Sequence, residues 1–209
     1  MPPCRTRRRA TLTAAALVVS SLFVAPGIMW GTIEEQRARL PPPADCADPV
    51  DGVWLGIEDD AARNNWYEFT LVIHRPDPRK SELVGEVVSH AWSGGKEVKE
   101  PPPCAPGRFE HMVHMPADGT VTGNRLYFGG KSVKTDDVLC GSQLPYYPDK
   151  FTGTVDTQIE EFQSTNNDGT VLVNEPVVFR RVKCNDQRVP PSADIVPPSF
   201  GPKHSGCGR

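Results

Sequence analysis

Apolar and polar positions alternate in steps of two through much of this chain. Residues 67–74 read Tyr-Glu-Phe-Thr-Leu-Val-Ile-His, so Tyr67, Phe69, Leu71 and Ile73 share one face of an extended segment that Pro76 and Pro78 terminate. Residues 151–159 repeat the pattern, with Phe151, Gly153, Val155, Thr157 and Ile159 set against Thr152, Thr154, Asp156 and Gln158. That is the signature of a half-buried strand. Further strands are predicted over 52–58, 83–92, 109–115, 120–134 with a turn at Gly123-Asn124, and 177–184. Turns are predicted at Asp118-Gly119, at Gly129-Gly130 and over 166–169, where Asn, Asp and Gly tolerate positive φ. No stretch of helical length carries a 3.6-residue period with caps, and 58–66 predicts a single helical turn at most.

Gly85, Gly123 and Gly153 each follow an apolar residue by two positions and precede another by two or three. Glycines so placed let strands bend or approach closely. The expected fold is therefore all-β, an antiparallel meander forming a small barrel or a sandwich.

Ahead of this region the pattern changes. Arg5, Arg7, Arg8 and Arg9 precede the uncharged, mostly apolar stretch 10–30, an order that predicts an export signal or a single membrane anchor. Small residues at Ala25-Pro26-Gly27 mark the best cleavage point, while the stretch is also about long enough to cross a ~30 Å hydrocarbon core. The segment around the arginines partly resembles a twin-arginine export signal but lacks its bulky apolar pair, so ordinary positive-inside charge accounts for it better. Either outcome puts the rest of the chain outside the cytoplasm, secreted, periplasmic or membrane-anchored. Residues 31–45 are expected as a linker, 46–188 as the β domain and 189–209 as a disordered Pro-rich tail.

The net charge is −3, and because the four leader arginines carry +4 the remainder carries −7. With no cluster of Lys and Arg there, nucleic acid is not an expected partner. Of six cysteines, Cys4 lies in the leader and Cys207 in the tail, beside His204. Cys46, Cys104, Cys140 and Cys184 form no C-x-x-C and have no neighbouring histidines, which favours structural disulfides over a metal or redox site. Three pairings remain open. The expected one joins Cys46 to Cys184 and Cys104 to Cys140, each loop long enough to restrict the unfolded chain by ~3–5 kcal/mol.

Gly52-Val53-Trp54 opens the first predicted strand, and Arg180-Arg181 lies in the last. This pair of features resembles the lipocalin and calycin barrels, in which a late-strand arginine packs across the tryptophan of a G-x-W. The resemblance implies an up-and-down barrel with a ligand cavity. Thr135-Asp136 is similar to that family's T-D element, although Asp137 follows in place of an aromatic residue.

No catalytic or cofactor motif is present: G-x-S-x-G, H-E-x-x-H and phosphate loops are all missing. His111 and His114 are expected on opposite faces of one strand, and the adjacent carboxylates 58–60, 136–137 and 160–161 are expected to solvate turns. The reading is a noncatalytic, extracytoplasmic β domain binding a small apolar ligand or an envelope protein, with Trp54, Phe69, Tyr127, Trp92 and Tyr146 as candidate ligand contacts. The alternative is an extracytoplasmic hydrolase built from scattered carboxylates and histidines.

Overall fold

The computed structural model describes residues 32–60, 63–142, 145–170 and 173–185. The leader and tail predictions, with Cys4 and Cys207, lie outside them. Among the described residues nine antiparallel strands follow one short helix: α1 (Ile33–Arg39), β1 (Gly52–Asp60), β2 (Asn65–His74), β3 (Glu82–Ser93), β4 (Glu110–Thr122), β5 (Arg125–Gly130), β6 (Thr135–Cys140), β7 (Lys150–Asp156), β8 (Glu161–Asn167) and β9 (Val173–Lys183). Among the described residues no helix is long and apolar enough to cross a membrane.

Eight of the strands close on themselves in the order β1-β2-β3-β4-β5-β7-β8-β9, with β9 returning to β1. The expected all-β meander is thus a barrel. The thirteen-residue β4 serves two partners along one edge, β5 over its C-terminal half and the extra strand β6 over its N-terminal half.

Alternation fills the interior. Phe69, Leu71 and Ile73 are fully buried, as are Trp54, Phe128, Phe151, Phe162 and Phe179 from other strands. Their rings form a continuous plug: Trp54 meets Phe162 at 6.5 Å, Phe162 meets Phe179 at 5.7 Å, and Phe151 touches Phe179 at 4.8 Å and Phe69 at 5.2 Å. Edge-to-face and offset pairs of this kind add to the burial of large apolar area.

Several sequence expectations change. Residues 58–60 and 65–66 are strand rather than a helical turn: the period-two pattern of Trp54 and Gly56 continues through Glu58 and Asp60, and β1 pairs with β2 up to Asp60 opposite Asn65. Asp118-Gly119 is no turn but the interior of β4, where a Cβ at Gly119 would lie 2.1 Å from the Tyr127 carbonyl oxygen. The glycine serves close strand approach there. Gly129-Gly130 likewise ends β5 rather than turning. The strand predicted through Ile159 stops at Asp156, and a turn leaves Ile159 exposed. β6 and β8 have no counterpart among the predicted strands, because their polar sequences hide the apolar alternation.

The stretch expected as a linker also folds onto the barrel. Thr32 and Glu35 form a capping box that starts α1. The helix lays Ile33 and Leu40 against Leu55, Ile57, Val178 and Val182 on the outer face of β1 and β9.

Disulfides join Cys46 to Cys184 and Cys104 to Cys140, the expected pairing. Such bridges suit an oxidising compartment outside the cytoplasm.

Candidate functional site

The two ends of the barrel differ in chemistry. At one end Trp54 and Arg181 are directly opposed on β1 and β9, and the guanidinium carbon sits 5.2 Å from the indole centroid. Arg181 is fully buried, donates to the Asp48 and Asp51 carbonyls and pairs with Glu160, while the Trp54 indole N–H donates to the Val50 carbonyl at 2.9 Å. Arg180 points outward, to Glu161 at 2.8 Å. This end is closed by packing and ion pairs. Beside it an open cleft of about 660 Å³ surrounds the Cys46–Cys184 bridge. Its Asp48, Asp51, His74 and Arg75 are tied to one another, Asp51 to His74 at 3.1 Å and Asp48 to Arg75 at 3.6 Å.

The other end carries polar groups on the inward face. Glu58 is 1% exposed, and neither carboxyl oxygen has a hydrogen-bond partner among the described residues. Tyr67 lies opposite it on β2. Asp60, two residues on and also buried, pairs with Arg63. From the segment before β7, the Tyr146 hydroxyl donates to Asp149 Oδ2 at 2.5 Å, and Asn166 Nδ2 of β8 donates to Asp149 Oδ1 at 2.7 Å. His111 faces the same interior, 3.4 Å from Asp136 and edge-on to Tyr146 at 5.8 Å, whereas His114 turns outward to Glu86.

The wall parts beside Glu58. Pairing between β1 and β9 ends at Gly56 opposite Phe179, although β1 runs on to Asp60 and β9 begins at Val173. The backbone groups left over on β9 are met instead by Gln36 of α1, which donates to the Pro176 carbonyl and accepts from the Val178 N–H, both at 2.9 Å. Buried amide and carbonyl groups require such partners. The result is a fork between two strands with Glu58 and Asp60 on one prong and Glu175 on the other.

Burial dominates the electrostatics. It pushes the Glu58 pKa well above the usual carboxyl range, with Glu175, Asp149 and Asp60 adding repulsion. Asp149 is raised to about 7, its burial only partly offset by the hydrogen bonds from Asn166 and Tyr146. The Tyr146 phenol is pushed well up by burial and then by Asp149. Among the described residues no three His, Cys, Asp or Glu side chains are placed to share a metal ion.

The five sequence-derived ligand contacts do not converge. Trp54 belongs to the closed end, and Phe69 to the aromatic plug. Tyr127 is 37% exposed on β5, and Trp92 stacks on Trp66 at 6.2 Å on the outer face, with Arg39 capping Trp66 at 3.8 Å. Only Tyr146 reaches the polar end. Glu58 and Asp60 are buried rather than solvating a turn, a placement legible from their parity with Trp54. Asp149, Asn166 and Glu175 carried no signal, since they reach this end only through barrel closure.

No family model, curated protein or solved structure matches this chain.

Proposed function

We propose that this is a noncatalytic binding domain of calycin-like build, working outside the cytoplasm and recognising a small ligand at the polar end of the barrel. The observation that carries the reading is the division of the interior: an aromatic plug from Trp54 to Phe69, then unsatisfied or proton-holding polar groups from Glu58 to Asp149. Apolar carriage needs an open greasy bore, and the rings of Phe69, Phe151, Phe162 and Phe179 occupy that volume. Binding is favoured over hydrolysis because Asp149 and His111 are engaged with other groups and no described nucleophile is hydrogen-bonded to Glu58. Asp149 accepts from Tyr146 and Asn166, and His111 sits against Asp136, which leaves no described nucleophile paired with a free base.

Amide NMR mapping tests this reading. Titrating the labelled domain with a concentrated small-molecule extract of the compartment into which it is exported should shift amides at 58–60, 65–67, 146–149 and 173–176. Shifts confined to 48–54 and 180–184 would overturn it.

A second reading, docking of an envelope protein, has one specific support. Only one edge of β6 pairs with a described strand, and this strand exposes Val138 and Leu139, with Tyr147 exposed in the following segment. Open edges of this kind accept an added strand.

A further inference from the structure

Glu58 is a buried carboxyl that nothing described in the protein satisfies. An unpaired polar group in such a place costs free energy, and sequences retain it where something outside the chain completes it. The groups facing it come from every adjoining element: Tyr67 from β2, Asp60 and Arg63 from the β1–β2 hairpin, Glu175 from β9 and Asp149 from the segment before β7. Arg63 is the only cation in this set, and it is spent on Asp60 at the outer rim.

We propose that the fork between β1 and β9 binds an organic cation, a primary ammonium or guanidinium group, with Glu58 as its counter-ion, Glu175 at the entrance and the Tyr67 ring as a wall. The inference rests on recognition at the polar end and names its ligand class. Charge selects the class. An anion meets four carboxyl groups and one already paired arginine, and a neutral polar molecule brings no charge to favour their ionised form. Among the described residues a metal ion finds no three properly placed donors. A cation satisfies both Glu58 oxygens with charge-assisted hydrogen bonds and gains from the aromatic face.

Proton bookkeeping follows from the burial. Burial favours the protonated form of Glu58 while the site is empty, and the cation favours the carboxylate; as it enters, the O–H bond breaks, the proton passes to solvent and the carboxylate pairs with the ligand. This exchange suits a site that must hold charge out of water without a resident partner.

Calorimetry on the full exported chain tests the proposal, with n-butylammonium and methylguanidinium chloride as probes, n-butanol as the uncharged control, and two buffers of different ionisation enthalpy at pH 7. Expected is saturable binding of the cations with net proton release, weakened at least about tenfold in Glu58→Gln with that release lost, and weakened less in Glu175→Gln. Glu58→Gln retains shape and removes a repelled carboxyl, and an unchanged amide NMR spectrum away from β1 checks its fold. Equal binding of n-butanol, no saturable cation binding, or binding by Glu58→Gln within about twofold of the parent would overturn the proposal. Amide shifts then separate the two failures. Cation shifts at the polar end with an indifferent Glu58→Gln remove Glu58 alone, whereas shifts around Trp54 remove the polar end as well.

Discussion

Arg181 reaches the ring of Trp54 because the register of β1 and β9 makes the two residues direct neighbours on the inward face. Its guanidinium is fully buried and held by two backbone carbonyls and Glu160, so the charge is compensated where water is excluded. Trp54→Ala is expected to cost ~3–5 kcal/mol in urea denaturation, as loss of a buried large aromatic usually does. Arg181→Met should cost ~3–5 kcal/mol by stranding Glu160 and the loop carbonyls. Asp149 makes stability depend on pH. Its pKa is about 7 in the folded protein against an ordinary 3.8, so between about pH 4 and pH 7 the folded state keeps a proton that the unfolded state has lost. Stability therefore falls as pH rises across that window and levels off above it. The difference between the parent and Asp149→Asn isolates the effect, at most ~4 kcal/mol for a shift of this size, and should be flat across the window only if Asp149 titrates normally.

Strand geometry explains both what the sequence displays and what it conceals. Inward positions of β2 and β7 are legible because their apolar residues alternate with polar ones, and Cys46, Cys184 and Trp54 are legible because residue type and placement agree. β6 and β8 are not legible: Thr-Asp-Asp and Gln-Ser-Thr-Asn-Asn look like loop, and they become strands because β4 and β7 offer open edges to pair with. The same tertiary effect makes a helix of a stretch expected as linker, since Gln36 supplies the hydrogen bonds that β9 lacks where β1 leaves it. Of the candidate contacts, Tyr127 and Trp92 fall on the outer face by parity, and only the closure of the barrel brings Tyr146 near Asp149. Gly153→Ala probes the close approach of β7 and β8. A Cβ there would lie 1.9 Å from the Gln163 carbonyl oxygen, so the β7–β8 pair must open, with an expected loss of roughly 1–3 kcal/mol in the same denaturation assay.

At the scale of the whole molecule, the barrel is closed at the Trp54–Arg181 end, filled through its middle and chemically unfinished at the Glu58 end. Disulfides staple the closed end through Cys46–Cys184 and join the segment between β3 and β4 to the end of β6 through Cys104–Cys140. Alkylation of the unfolded, unreduced chain should leave all four of these thiols unlabelled. Native mass spectrometry of the protein asks whether a small molecule completes the Glu58 end. The parent should carry a stoichiometric small-molecule mass that disappears in Glu175→Arg, a substitution at the half-exposed rim that sets the protein's own cation at the fork. A bare parent, or an added mass that Glu175→Arg retains, would contradict the account.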